Sequence, residues 1–161
     1  LTTAAESHAI EDAFRDHYGW LVRRLALVLG DPVEAQDLAQ QVFLRALEHR
    51  PDIDDRPIRP WLAAVGVNLA ISERRRRRRW GFLPLRETHR EWLMTVDPDL
   101  WRALSSLKPE VRAALLLTVV DGYTQAEVAA AFGVPRGTVA SWLLRARTQL
   151  RPTLMVVDDG I

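Results

Sequence analysis

Six consecutive arginines (Arg74, Arg75, Arg76, Arg77, Arg78 and Arg79) close a stretch that opens at Trp61 and reads WLAAVGVNLAISERRRRRRW. Guanidinium groups bind phosphate through a planar fork and stack on bases. An aromatic at the head (Trp61), an uncharged amide in the middle (Asn68) and a basic tail together fit a surface for unstacked bases and their backbone. The same run fits a solvated linker or a contact to an acidic partner. Leu62, Val65 and Leu69 recur at helical spacing, and Pro60 stands where the first turn of a helix accepts proline. If the helix continues, six successive arginines step by about 100° each and point all round the axis, so about half can follow one phosphate track.

A second basic constellation lies near the end of the chain. Thr124-Gln125-Ala126-Glu127 has the form of a capping box, opening a helix with Val128, Ala129 and Phe132. Gly133 can take the positive φ of a tight turn. After Val134-Pro135-Arg136-Gly137, a last helix is predicted from about Thr138 to Leu150, burying Val139, Leu143, Ala146 and Leu150. Two helices joined by a glycine turn describe a helix-turn-helix. Ala129 is small enough for a close helix crossing, and Val139 and Trp142 face inward. Arg136, Ala140, Ser141, Leu144, Arg145 and Thr148 then face outward, the side that enters a major groove in such motifs. An ordinary helical hairpin is the plainer alternative.

Other chemistry finds little support. His8, His17, His49 and His89 lack ligand spacing. Asp52, Asp54 and Asp55 resemble the start of a calcium loop but lack its glycine and distal glutamate. No glycine-rich phosphate loop follows a strand. No catalytic residue, metal or cofactor is expected. Among 161 residues there is no cysteine, which excludes disulfides and cysteine-held zinc and suits a reducing compartment. Hydrophobic residues make up 48% of the chain, enough for packed cores, and the net charge is only +1. Apolar runs such as residues 113–120 are too short to span a bilayer, and the acidic opening LTTAAESHAIED is unlike a signal peptide. A cytoplasmic protein without membrane insertion is expected.

The elements that must position these residues read as helices throughout. Ile10, Phe14, Tyr18, Leu21, Leu25 and Val28 predict a helix from about Ser7 to Leu29, ended by Gly30. Asp31-Pro32-Val33-Glu34 is a helix start, with a capping aspartate and a first-turn proline. The second helix runs to about His49. Its apolar stripe is Val33, Leu38, Val42, Phe43, Ala46 and Leu47, and its solvated face is Glu34, Asp37, Gln40, Gln41 and Arg45. Three prolines and three aspartates forbid regular structure from Pro51 to Pro60. Gly66, in the middle of the third helix, should cost about 1 kcal/mol relative to alanine. Asp97 caps a short helix with Leu100, Trp101, Leu104 and Leu107. Pro109 starts another with Val111, Leu115, Leu116 and Val119, stopped by Gly122. The fold expected is all-α: two small helical domains joined by a linker, the second containing the helix-turn-helix. The boundaries expected are 1–80, a linker at 81–96, and 97–161.

In this order the motifs resemble a bacterial extracytoplasmic-function (ECF) sigma factor, a sigma-70 family subunit that brings RNA polymerase to promoters. The likeness runs from about Phe14 to Arg151. DPVEAQDLAQQVFLRAL resembles the family's region-two helix, with Asp37-Leu38-Ala39-Gln40 and Phe43. PWLAAVGVNLAISERRRR resembles the helix that reads the −10 element. LKPEVRAALLLTVVDGYTQAEVAAAFGVPRGTVASWLLRAR resembles region four, which reads the −35 element, and Gly137-Thr138-Val139, Ser141 and Arg145-Ala146-Arg147 are its most specific part.

The resemblance implies roles by position. Asp37, Gln40 and Gln41 would face the clamp helices of the largest subunit of core RNA polymerase. Trp61 and Asn68, with the preceding loop, would hold a flipped −10 base of promoter DNA, and Arg74 to Arg79 would lie along the backbone near the melted region. Arg136, Thr138, Ser141, Leu144 and Arg145 would approach the −35 duplex. The helix from Val111 to Val119 would dock on the polymerase flap, and an anti-sigma factor would be a further partner. Family members carry a basic residue at position 140 and arginine at 142, whereas this chain has Ala140 and Trp142. A lost bidentate base contact forfeits roughly 1–3 kcal/mol of discrimination, and Trp142 is expected to fill the domain core instead.

Overall fold

Capping chemistry sets the helix boundaries along the chain. A computed structural model of the protein describes residues 4–49, 57–79 and 96–158. Helix α1 spans Ala4–Leu29, α2 Pro32–His49 and α3 Ile58–Arg79. Helix α4 spans Pro98–Ser105, α5 Pro109–Leu115, α6 Gln125–Phe132 and α7 Arg136–Asp158. Every regular element among the described residues is helical. The stretch expected to link the domains lies almost wholly outside the described residues, as does most of the loop before α3.

Asp31 takes the Val33 and Glu34 N–H groups on Oδ1, each at 3.0 Å, and so starts α2. Asp97 does the same for α4, accepting from Asp99 and Leu100 at 2.8 and 3.0 Å. At α6 both halves of the capping box form: Glu127 N–H donates to Thr124 Oγ1, and Thr124 N–H donates to the Glu127 carboxylate. Gly30 closes α1 at φ +74° and Gly133 closes α6 at φ +64°, conformations that disfavour a side chain.

Helices α1, α2 and α3 form the first bundle. Leu21, Leu25, Val28, Val42, Leu62 and Val67 fill its fully buried centre. Gly66 faces Leu25, and a Cβ there would lie 2.9 Å from both Leu25 methyl carbons. The glycine is therefore a packing requirement and not only a propensity penalty. In the second bundle α7 packs on α4, α5 and α6. Its core includes Val111, Leu117, Val128, Val139, Leu143 and Ala146.

Several expectations need correcting. Irregular structure is expected as far as Pro60, but α3 already begins at Ile58, with Pro60 inside its first turn, where proline needs no N–H partner. Leu100, expected on the apolar side of α4, is exposed. Helix α1 begins at Ala4, ahead of Ser7, and α7 runs past Leu150 to Asp158 through Pro152. Glu34, expected on the solvated face of α2, is buried, whereas Val33 and Leu47, expected inside, are exposed. The capped first turn of α2 lies at the corner with α1, where Glu34 meets Arg74 of α3 at 3.4 Å. The helix begun at Pro109 does not stay α-helical. Its continuation, Leu116–Val120, is a π turn, with Asp121 N–H donating to Leu116 O at 3.1 Å. This widened turn leaves Val119, expected inside, at 71% exposure.

The two bundles are packed together. Helix α3 lies against α5 and α6, and α1 lies against α5. One apolar cluster runs through both, from Leu21 and Val67 to Val128 and Leu143.

Candidate nucleic-acid and polymerase interfaces

The arginine run is helical to Arg79, so its geometry follows from 100° per residue. Trp61, Asn68, Ser72, Arg75 and Arg79 fall within about 40° of one line along α3. Asn68, Ser72, Arg75 and Arg79 are exposed, and Trp61 is half-buried against the core. The stripe rises over roughly 27 Å, an aromatic at one end and guanidinium groups at the other. Ser72 was not singled out in the sequence, although its spacing from Asn68 was the available signal.

Arg74 does not belong to that stripe. Its Nη2 donates to Leu29 O at 3.2 Å and to Glu34 Oε2 at 3.4 Å, fastening α3 to the end of α1. A cation there also faces the negative end of the α1 dipole. Arg76 is exposed and pairs with Glu73 at 2.8 Å. Arg77 and Arg78 are in the helix, but their side chains lie outside the described residues.

On α2, Asp37, Gln40 and Gln41 are all exposed. Leu44 joins them at i+7 from Asp37 and is 59% exposed. A single exposed leucine is ordinary on a protein surface, so its position beside these polar residues, and not its exposure, is what links it to them. Leu44 was missed because it falls outside the buried stripe and carries no charge.

In the second bundle the outward face of α7 is open. Arg136, Ala140, Ser141, Leu144, Arg145 and Thr148 are exposed, and Thr138 is half-buried. Thr138, Ser141, Leu144, Arg145 and Thr148 fall within about 60° either side of Ser141, opposite the buried Val139 and Leu143. Arg136 is in the first turn about 140° away, so it cannot share the same base edge as Ser141. Trp142 is half-buried and meets Phe132 edge-to-face, with centroids 5.7 Å apart. It fills the angle between α6 and α7, the role expected of it.

Sequence reasoning missed a polar cluster between the bundles. Asp121 Oδ1 accepts from Arg24 Nη2 at 2.7 Å and from the Trp20 indole N–H at 3.2 Å. Arg59 and Arg24 both lie over the Trp20 ring, at 5.1 and 5.9 Å from its centroid. Arg59 Nε donates to His17 Nδ1 at 3.1 Å, which requires a neutral imidazole. Burial and the Arg59 charge hold His17 below its ordinary pKa of 6.5, against a smaller upward pull from Asp16. Arg112, buried in α5, donates to Val28 O at the end of α1 and to Leu107 O at 2.8 Å. Burial, with the nearby Arg74 charge, lowers it to about 10, so it stays protonated at neutral pH. The only available signal was a lone arginine at an apolar-period position.

Among the described residues no group of three or more His, Cys, Asp or Glu side chains is placed to hold a metal, and no helix is long and apolar enough to cross a membrane.

Comparison with known proteins assigns both helical bundles to one family. The family described as Sigma-70 region 2 matches residues 13–80, and Sigma-70, region 4 matches residues 98–150. ECF RNA polymerase sigma factor SigL of Mycobacterium tuberculosis is 33% identical over 94% of this chain and 92% of its own length. ECF RNA polymerase sigma factor SigE of Mycolicibacterium smegmatis is 31% identical over 89% of this chain, and the match spans 61% of that relative. Among solved structures, the sigma factor RpoE in complex with the anti-sigma factor NepR from Bartonella quintana shares the fold. Its TM-score is 0.71 at 22% identity, covering 91% of this chain and 96% of that one. CnrH in complex with the cytosolic domain of CnrY gives a TM-score of 0.64 at 25% identity, over 96% of this chain and 91% of that one.

Two helical modules, one matching region 2 and one carrying a helix-turn-helix that matches region 4, define a promoter-directing subunit and not an enzyme. The chain belongs to the ECF sigma factors of the sigma-70 family, which bind core RNA polymerase and direct it to promoters through regions 2 and 4.

Proposed function

We propose that the exposed stripe of α3 captures melted bases of a −10 element while α7 reads the −35 duplex. The observation that carries this reading is the alignment of Trp61, Asn68, Ser72, Arg75 and Arg79 on one line of α3. Unstacking a base costs a few kcal/mol, and stacking on an aromatic returns about 1–3 kcal/mol. A single such platform can thus hold a base that a larger enzyme has helped to open. Asn68 supplies a donor and an acceptor for a base edge, and Arg75 and Arg79 follow the backbone.

On α7, Ser141, Leu144 and Arg145 face base edges, with Thr138 at the upper rim. Arg136, set apart round the helix, reaches a phosphate. Asp37, Gln40, Gln41 and Leu44 form the face that docks on the clamp helices of the largest polymerase subunit. Helix α5 with the exposed Val119 and Val120 meets the flap. An anti-sigma factor is a further partner, supported by the solved complexes of RpoE and CnrH.

Run-off transcription with core polymerase on genomic fragments, followed by mapping of the start sites, tests the whole reading. Initiation from promoters sharing two spaced elements is expected. Tight duplex binding by the chain alone, with no initiation in the presence of core, would favour a stand-alone DNA-binding regulator. Asp37→Arg should weaken core binding at least tenfold and leave helical content unchanged, since Asp37 is exposed. Unaltered core affinity would remove α2 from the interface.

A further inference from the structure

The exposed face of α7 is divided lengthwise into two edges. Ala140, Leu144 and Thr148 advance by about 40° per four-residue step and lie about 20–100° to one side of Ser141. Thr138 and Arg145 lie about 40–60° to its other side. Ala140, Leu144 and Thr148 are all exposed, Leu144 by 64%. Thr148 Oγ1 donates to Leu144 O at 2.9 Å. The hydroxyl proton is thereby committed within the helix and is not offered to a base acceptor. The threonine methyl extends the apolar strip begun by Ala140 and Leu144, which rises about 12 Å along the axis.

Cations border this strip on both sides. Arg136 and Arg147 stand about 20–40° beyond Ala140, and Arg145 stands past Ser141 on the opposite flank. All three are exposed. From Arg136 to Pro152 the chain carries no acidic residue. An apolar strip framed by guanidinium groups, with no carboxylate beside it, fits a groove walled by phosphates. The B-form major groove, about 12 Å wide, admits one such helix.

Resting on the reading that α7 meets the −35 duplex, we propose that the strip of Ala140, Leu144 and Thr148 selects thymine, by seating its C5-methyl group against Leu144. The −35 element of this protein then holds at least one T·A pair chosen by that methyl, beside the pairs that Ser141 and Arg145 read through hydrogen bonds.

Only thymine presents an apolar group in the major groove; the other three bases present donors and acceptors there. Leu144 can satisfy none of those. Cytosine in place of thymine would leave its N4 amine against the leucine, shut off from water and without an acceptor, and an unmet donor is costly. Against thymine, two apolar surfaces leave water together. Ala140, one turn earlier, is too short to reach a base itself, and its small side chain leaves the approach to Leu144 open.

The test uses the holoenzyme, the full chain with core polymerase, on a promoter fragment found by start-site mapping. Each thymine of the upstream element, on either strand, is replaced in turn by deoxyuridine, which lacks only the C5-methyl and keeps the base pair. Burying one such group is worth about fourfold in affinity, so at least one replacement should raise the half-maximal holoenzyme concentration about fourfold. Leu144→Gln should bring that thymine-to-uracil ratio below about 1.5, whereas Leu144→Met, still apolar, should retain it. Helical circular dichroism should be unchanged in both, since the side chain is exposed.

The proposal is overturned if no replacement weakens binding by as much as about twofold. A ratio that survives intact in Leu144→Gln overturns it equally. Exchanging each upstream pair for the other three distinguishes two failures. If those exchanges alter binding and uracil does not, α7 still reads the element and only the methyl contact is refuted. If no upstream exchange matters, the −35 reading falls and this proposal falls with it.

Discussion

Gly66→Ala puts two opposed effects in direct competition. Alanine is favoured over glycine inside a helix by about 0.8–1.0 kcal/mol, so propensity alone predicts a stabilised protein. Packing predicts the reverse. The new Cβ would lie 2.9 Å from both Cδ1 and Cδ2 of Leu25 and 3.4 Å from its Cγ. Rotating Leu25 cannot clear both methyls, because that side chain is fully buried between α1 and α3. Overpacking of this kind costs about 1–3 kcal/mol, which leaves a net destabilisation of about 1 kcal/mol after the helical gain. Urea unfolding of the full chain, read as a shift in midpoint at constant slope, measures it. Leu25→Ala alone should cost about 2–5 kcal/mol through the cavity it leaves. The double variant should fall short of the sum by about 1 kcal/mol or more, since each change relieves the other. A Gly66→Ala protein more stable than wild type, with additive behaviour in the double variant, would refute the packing account.

Two further outcomes follow from the site. His17 is neutral in the fold and lies below its ordinary pKa of 6.5, so the unfolded chain binds the proton more readily. Stability is therefore full above that value, falls as pH drops through it, and levels off below the folded pKa; His17→Gln should flatten the change in urea midpoint between about pH 7.5 and 5.5. Arg145→Ala should leave stability within about 0.5 kcal/mol, because the side chain is exposed. Its binding to a −35 duplex should weaken by about 1–3 kcal/mol and lose preference at one base pair. A uniform loss with a shallower salt dependence would instead place Arg145 on a phosphate.

What the sequence disclosed is what is encoded within a few residues. Asp31, Asp97, Thr124 with Glu127, and Gly133 are caps whose partners lie two to four positions away, and each forms. The exposed face of α7 follows from a period of 3.6 and the buried positions of Val139 and Leu143. Partners distant in the chain leave no such trace. Asp121 and Arg24 are 97 positions apart and Arg112 and Val28 are 84, so neither pair is visible to periodicity. A carboxylate at position 34 reads as solvent-facing, yet Arg74 meets Glu34 inside the fold. The arginine run is legible in the sequence as basic, and its helical continuation to Arg79 as one of two readings. That its first member, Arg74, serves the bundle depends on how α3 crosses the end of α1, which composition cannot supply. The π turn was invisible for a related reason: apolar residues from Val111 to Val120 satisfy an α period almost as well.

That widened turn sets the register of everything after it. A π turn holds one more residue than the α turn it replaces. Wound as ordinary α-helix with no residue lost, Leu116–Val120 would swing the chain that follows by about 100° relative to what came before. Asp121 would then point away from Arg24 and Trp20, while the helix-turn-helix, built from its own caps and glycine turn, would keep its internal geometry. Deleting one of the five residues would instead let α winding return with the later residues near their present orientation, so the winding of this one turn separates how the second bundle folds from where it comes to rest.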